Sequence, residues 1–235
     1  MGRAMKRFWK TVSVLPYDEG FGISLDAKEM KTPLKASLIV PTRAYAEGIA
    51  AEWAAVEGEI KPLTMHLTRA ANATIDSVIE KRAEVANMLA EYANTDLICY
   101  RADTPAELVA RQATAWDPML AWAASIGAPL TTITGIIFAP QPEESIQTLS
   151  AMVHEYDAWQ LTALHDLIAI SGSLVLGLAV AKRHLTAEAA WPLSRIDESW
   201  QIEQWGVDDE AEEKAARKER DFLRAAHLLS LLEEH

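Results

Sequence analysis

The pattern of hydrophobic and polar positions changes once along the chain. Short apolar runs with turn residues between them occupy residues 7–42, as is typical of antiparallel hairpins. After Thr42, apolar residues recur every three or four positions, which predicts helices over most of the remaining chain. We therefore predict an α+β protein. A small N-terminal α/β domain with antiparallel strands would span residues 1–66, and a larger all-α C-terminal domain would span residues 67–235.

The helical pattern divides into several predicted elements. Thr42 is expected to cap the first helix, and Thr104-Pro105-Ala106-Glu107 matches a capping box. Asp117-Pro118 is expected to restart a helix, and residues 131–142 are expected to be non-helical. The most apolar segment, residues 161–180, is interrupted by His165 and Asp166 and is too short for a bilayer, which needs about 20 apolar residues. The longer predicted helices cover residues 67–94, 143–156, 157–181, 187–205 and 208–234.

Charge and cysteine content narrow the functional classes. The formal net charge is −12, from 34 acidic and 22 basic side chains. Nucleic-acid binding normally requires a basic surface, so we expect no nucleic-acid partner. Cys99 is the single cysteine, which excludes an internal disulfide and fits a reducing compartment. The basic N-terminus has no following apolar run, so neither a secretory signal nor stable membrane insertion is expected.

The sequence lacks the motifs of the common cofactor and metal sites. It has no Gly-rich phosphate loop, and His154-Glu155 begins a zinc-protease motif that lacks its second histidine at residue 158. We therefore expect no cofactor and no metal. His165-Asp166 could form a proton-relay pair, although a histidine on an apolar helix is more often a hydrogen-bonded core residue.

The segment RIDESWQIEQWG, residues 195–206, places two adjacent acids between tryptophans. Ser194 and Asp197 have the spacing of a capping box, which predicts a structural role for Asp197. Helical geometry places Trp200 on one side of this helix, together with Leu193 and Ile196. The opposite side carries four residues at one-face spacing, namely Glu198, Gln201, Ile202 and Trp205.

Two interpretations of that second face remain open from geometry. It could pack in the domain core, where Glu198 would require a basic partner within the chain. It could instead be exposed and bind another protein, because tryptophan patches with one charge are typical binding hot spots. Geometry alone favours the core, since most apolar helix faces are buried.

Tryptophan is unusually frequent, with eight residues against four phenylalanines. Trp is rarely buried completely, so several of these side chains should show an edge at the surface. Half-exposed tryptophans favour a protein-binding surface over a small-molecule pocket. The candidates lie in or beside polar helical segments: Trp53, Trp116, Trp122, Trp200 and Trp205.

Several stretches together resemble the ATP twelve family, the assembly chaperones of the ATP synthase catalytic head. They follow the family's order and cover nearly the whole chain, although His66 and Ala27-Lys28 depart from the usual residues. The matching stretches are RFWK (7–10), ISLDAKEMKTPLKASLIVPT (23–42), IAAEW (49–53), EIKPLTMHLTRAANATID (59–76), YANTDLICYRA (92–102), QATAWDPMLAW (112–122) and RIDESWQIEQWG.

The resemblance implies a non-enzymatic chaperone that binds the unassembled α subunit and masks its subunit interface. It implies the same two-domain fold, and the lack of a transit peptide suggests a bacterial cytoplasmic member. For Glu198, the resemblance favours the exposed interpretation over the core one. Glu198 would face the client protein, with Gln201 and Trp205 beside it. The full predicted protein-binding set is Glu198, Gln201, Trp205, Asp197, Trp200, Trp53 and Trp116. The alternative is a small enzyme in which Glu198 works with His165 or His154.

Overall fold

The computed structural model describes residues 6–135 and 137–233, and these form two compact units. Within the described ranges, the first unit contains residues 6–82, 158–163 and 227–233, and the second contains residues 83–135, 137–157 and 164–226. Each unit is therefore assembled from separate stretches of the chain. The predicted boundary between the two domains, after residue 66, stays a prediction.

The first unit contains the small antiparallel sheet. Strand β1 (Val12–Tyr17) pairs along its whole length with β2 (Gly20–Leu25). The other side of β2 pairs with β3 (Lys28–Glu29) and with β4 (Ile39–Val40). Large apolar residues occupy every second position of β2, and its last four residues are all buried.

Helices α1 (Arg43–Ala54) and α2 (His66–Ala73) belong to the same unit. The Thr42 hydroxyl accepts a hydrogen bond from the Tyr45 backbone N–H, so the predicted N-cap is confirmed. The core of the unit is built from apolar side chains of the sheet and helices, namely Trp9, Ile23, Leu38, Val40, Tyr45, Ile49 and Ala71.

The second unit is mainly helical. Its short parallel strands β5 (Tyr100–Arg101) and β6 (Ile133–Thr134) pair with each other. Side chains from several segments share a core around Trp116 and Leu176. The helices that lie in or pass through this unit are α3 (Arg82–Ala90), α4 (Ala106–Ser125), α5 (Glu143–Glu155), α6 (Ala158–Ser171), α7 (Leu174–Ala181), α8 (Ala187–Leu193), α9 (Ile196–Trp205) and α10 (Asp209–Leu231).

The α+β fold class is confirmed, but several predicted helices are divided. The predicted helix over residues 67–94 changes to a π-helical turn at Thr74–Val78 before α3 begins. The predicted helix over residues 157–181 breaks at Gly172, whose φ of +73° is left-handed. Glycine adopts that conformation without a Cβ clash, so periodicity continues across a point where the backbone turns.

Helix α4 corrects two further predictions. It begins after Pro105 with no side-chain cap, so Thr104 does not form the predicted capping box. It then runs through Pro118 without ending, so Asp117-Pro118 does not restart a helix. In the predicted loop 131–142, Ile133–Thr134 forms strand β6, and residue 136 lies outside the described residues. Within the described ranges, no helix combines the length and apolarity that a membrane span requires.

Candidate protein-binding site

The tryptophan-flanked segment forms helix α9, and none of the residues of this helix is buried. Residues 194 and 195 separate it from α8, and Gly206, with φ of +90°, ends it. The carboxylate of Asp208 then accepts the backbone N–H of Glu210 at 2.9 Å at the start of α10. Helix α9 is thus bounded by turns at both ends and is held by side chains of its own unit.

The inner side of α9 is attached to α4 by an arginine. Both terminal nitrogens of Arg111 donate to the carboxylate of Glu203, at 2.7 and 2.8 Å. The same guanidinium lies over the ring of Trp200, 5.1 Å from its centroid. The hydrogen bonds to Arg111 lower the pKa of Glu203, and those to Glu203 raise the pKa of Arg111. Two parallel bonds fix orientation better than one, so this contact orients α9 on α4.

Two further side chains of α4 hold the start of α9 and the end of α8. The amide nitrogen of Gln112 donates to Asp197 at 2.6 Å, and its oxygen accepts the backbone N–H of Ala102 at 2.8 Å. One turn further along α4, the indole N–H of Trp116 donates to the carbonyl of Leu193 at 2.8 Å. These bonds use both polar ends of the buried Gln112 and the polar group of the buried Trp116.

The predicted capping box at the start of α9 is wrong. Arg195 occupies the N-cap position without a side-chain cap, and the hydroxyl of Ser194 donates backwards to the carbonyl of Trp191. Asp197 accepts from Gln112 instead of serving in a local cap. Gln112, 85 positions away in the chain, binds the Asp197 carboxylate in place of the nearby backbone group that a capping box would use. Residue spacing within the helix cannot reveal such a distant partner.

The outer side of α9 is exposed, so the interpretation that places this face in the core is wrong. Glu198 is 45% exposed at its side chain and pairs with Arg195 at 2.5 Å. Gln201 is exposed, Ile202 is 37% exposed and Trp205 is 78% exposed. The next apolar residue, Val207, is 58% exposed. We call Gln201, Ile202, Trp205 and Val207 the α9 corner.

Two predicted site residues lie away from the α9 corner. Trp116 is fully buried, so the expectation that its edge reaches the surface is wrong. Its ring packs in the core because neighbouring helices cover it, and its N–H is satisfied by Leu193. Trp53 belongs to the first unit, where it is half-buried, lies 5.1 Å from Trp9 and donates to Thr68 at 3.0 Å. The client-binding roles given to these residues stay predictions.

The histidines considered for an acid–base site have other partners. His165 pairs with Asp166 at 2.9 Å, and His154 bonds to Asn87 at 2.9 Å. The Asp166 hydrogen bond raises the pKa of His165. The described contacts of Glu198 are with Arg195, not with either histidine. The described residues also contain no cluster of three or more His, Cys, Asp or Glu side chains able to hold a metal ion.

Sequence reasoning missed two contributors to this site. Val207 follows Gly206 and therefore lies outside the helical periodicity used to define the face. Arg111 lies 92 positions before Glu203, and nothing local links the two residues. Helix α4 also carries Glu107 and Asp117, so its sequence does not single out Arg111 as the residue that pairs with α9.

A rigidly supported helix that presents apolar side chains to solvent is characteristic of a protein-binding module. The ATP12 chaperone protein family profile matches residues 6–124, about half of the chain. The chain therefore belongs to the ATP12 chaperone family, a family of ATP synthase assembly chaperones.

Solved structures agree along almost the whole chain. Atp12 from Paracoccus denitrificans is 43% identical, with a TM-score of 0.94 over 97% of this chain and 98% of that one. A single-substitution mutant of that protein matches equally well. The Atu1473 protein of Agrobacterium tumefaciens is 39% identical, with a TM-score of 0.92 over 97% of this chain and 86% of that one. The mitochondrial protein atp12 of Schizosaccharomyces pombe is 24% identical over 97% of this chain and 82% of its own length.

Proposed function

We propose that this protein is a chaperone that binds the unassembled α subunit of ATP synthase in the bacterial cytoplasm. It masks the surface that the α subunit later gives to its permanent partner, and so promotes assembly of the catalytic head. Family membership supports the chaperone class. The observation that carries the proposal is the α9 corner, in which Trp205 is 78% exposed beside Ile202 and Val207.

The chemistry of the α9 corner suits a client with an exposed apolar surface. An unassembled subunit exposes apolar area that its final interface would bury, and such area promotes aggregation. A tryptophan that enters a pocket on the client removes a large apolar surface from water and excludes water around it. The corner itself is small. A permanent partner that forms a larger interface with the α subunit can therefore displace the chaperone. An interface of standard size, roughly 1,200–2,000 Å², fits a complex of this kind.

The anchoring of α9 supports the same function. Arg111 and Gln112 hold the inner side of the helix through hydrogen bonds of 2.6–2.8 Å, and Trp116 holds the end of α8 that leads into it. A binding residue on a fixed helix loses little conformational freedom when the partner docks, and this improves affinity. Because its inner side is already satisfied, α9 presents Trp205 to a client without rearrangement of the core.

Glu198 supplies the charge beside the corner. Its carboxylate is half-exposed and its partner Arg195 is three residues away, an arrangement of modest strength at a surface. A basic group on the client could therefore share or replace Arg195 at little cost. In this proposal Glu198 selects and orients the client, and Trp205 with Gln201 and Ile202 supplies the contact area.

The test compares Trp205→Ala with Leu63→Ala. Both residues are exposed, at 78% and 79%, but Leu63 lies in the first unit, outside the α9 corner. Truncation of a binding hot spot costs about 2 kcal/mol or more, so we expect α-subunit affinity to fall at least about 30-fold for Trp205→Ala. Leu63→Ala should leave affinity unchanged. The measurements are calorimetric titration and light scattering of the aggregating α subunit.

Circular dichroism and the urea midpoint establish that both variants are folded. A Trp205→Ala protein that binds the α subunit like the unmodified chain would overturn the assignment of the α9 corner. If the unmodified chain does not bind the α subunit at all, the proposed client is wrong, whatever the variants do.

A further inference from the structure

A cavity in the first unit lies outside the α9 corner and has no role in the proposed function. Its volume is about 750 Å³, and it opens between the β3 region and α2. Leu25, Met30 and Leu38 contribute buried apolar side chains to its lining. Phe8, which is 61% exposed, also lines the cavity. An apolar floor with an exposed aromatic side chain is suited to an apolar side chain of a ligand.

Three lysines also line this cavity. Lys28, Lys31 and Lys35 are exposed, and within the described part of the chain none of them forms an ion pair. The single acid of the lining, Glu29, hydrogen-bonds to the Tyr17 hydroxyl and raises the pKa of that group. A second acid, Asp76, accepts hydrogen bonds from Thr32 and Leu34 beside the cavity, so three lysines stand against two acids there. In a chain with a net charge of −12, such a basic rim is a local reversal of sign that favours an acidic ligand.

Beside the lysines the sheet has an open edge. β3 is the last strand in the order β1-β2-β3, and among the described residues its free edge is two residues long, Lys28 and Glu29. The chain that follows is already paired, through the Lys31–Ser37 bridge and the Leu38 N–H that donates to the Met30 carbonyl. An unpaired edge offers backbone N–H and C=O groups that an extended peptide can match. A lipid tail or a small anion cannot use such an edge, so the edge favours a peptide over either of them.

We propose that this cavity binds an extended acidic peptide segment of a partner protein. An apolar side chain of the segment enters the space between Phe8 and Met30, and carboxylates on either side meet the lysines. The backbone of the segment pairs with the two residues of β3. This inference does not depend on the α subunit as the client, because it uses no residue of the α9 corner.

The experiment selects ligands from a random 12-residue phage library on the full-length protein. Selected sequences are made as fluorescein-labelled peptides, and binding is followed by fluorescence anisotropy at low and high salt. We expect enrichment of peptides with one apolar side chain flanked by Asp or Glu. Their affinity should fall as salt rises, because exposed charge pairs are screened.

The decisive variant replaces all three lysines, as Lys28→Glu, Lys31→Glu and Lys35→Glu together. A matched control makes the same charge change at three exposed lysines outside the cavity, Lys81, Lys182 and Lys218. We expect the cavity variant to lose about tenfold or more in peptide affinity, because it replaces three favourable pairs by repulsion. The control should keep the affinity of the unmodified chain. Phe8→Ala, which leaves the charges in place, should weaken binding several-fold at every salt concentration.

Several outcomes would overturn the inference. It fails if no peptide is enriched, if the enriched peptides carry no acidic bias, or if the cavity and control variants bind them equally. It also fails if the unmodified chain self-associates in sedimentation and the cavity variant does not, since the surface would then join two copies. Flotation with anionic phosphatidylglycerol vesicles that depends on the three lysines would assign the surface to lipid instead. Loss of α-subunit binding in Trp205→Ala tests the proposed function separately.

Discussion

Helices α7 and α9 lie in the same unit but differ in burial: α7 is almost entirely buried, and α9 lies at the surface. Every residue from Leu174 to Val180 in α7 is buried, whereas α9 has no buried residue. Helix α7 is held by apolar packing on all sides, and Gly177 allows Ile168 to approach it closely. Helix α9 is held on one side by polar contacts to α4. The comparison shows which apolar side chains the fold requires and which ones remain available for a partner.

The two helices also differ in how they use carboxylates. At the start of α7, the fully buried Asp96 accepts the backbone N–H of Val175 at 2.9 Å. Burial raises the pKa of Asp96 to about 6 despite these hydrogen bonds. At the start of α9, Glu198 is half-exposed and pairs with Arg195. A carboxylate of the core therefore couples stability to pH, whereas the surface carboxylate remains accessible to a partner.

The largest expected effect comes from breaking the packing of α7. Leu176 is fully buried, so Leu176→Ala should lower the free energy of unfolding by about 2–5 kcal/mol through lost burial and a cavity. Ile202→Ala in α9 is the matched control and should change it by less than about 0.5 kcal/mol. Urea denaturation followed by circular dichroism measures both values. Equal losses in the two variants would show that the α9 corner is part of the folding core.

A smaller effect is expected from the buried carboxylate of α7. The pKa of Asp96 is higher in the folded chain than in the unfolded one, so its stabilising contribution is complete at low pH. That contribution is lost as pH rises through about 6. Between pH 5 and pH 7 the loss amounts to about 1 kcal/mol.

Asp96→Asn removes this titration but keeps an oxygen for only one of the two backbone N–H groups, those of Ile98 and Val175, so it also lowers stability by an amount that does not depend on pH. The difference in free energy of unfolding between pH 5 and pH 7 should therefore change by about 1 kcal/mol in the variant. Asp18→Asn, at an exposed carboxylate, is the control for surface titration. An unchanged pH difference in Asp96→Asn would mean that Asp96 does not titrate in this range.

The smallest effect on folding is expected at the surface carboxylate of α9. Glu198→Lys removes a partly exposed surface ion pair worth roughly 0–1 kcal/mol and should lower the urea midpoint only slightly. We expect α-subunit affinity to fall by about tenfold, because the charge next to the α9 corner is reversed. Glu47→Lys is a matched change, since Glu47 pairs with Arg43 on α1 in the first unit. If Glu198→Lys folds normally and still prevents α-subunit aggregation, Glu198 does not contact the client.

Local patterns predicted the elements that depend on neighbouring residues. Short apolar runs with turn residues between them in residues 7–42 predicted the antiparallel strands, and Thr42 predicted the cap that the structure contains. Helical spacing correctly grouped Glu198, Gln201, Ile202 and Trp205 on one face. The same reasoning missed the break at Gly172, because apolar periodicity continues through a left-handed turn.

The sequence by itself determined the α+β class, the helical nature of the second half and the residues that share the outer face of α9. Only the tertiary structure decided that this face is exposed, that Trp116 is buried and that Asp197 binds Gln112. The physical reason is the range of the forces involved. Backbone periodicity and caps act within one or two turns, whereas burial depends on which distant segment packs against each face.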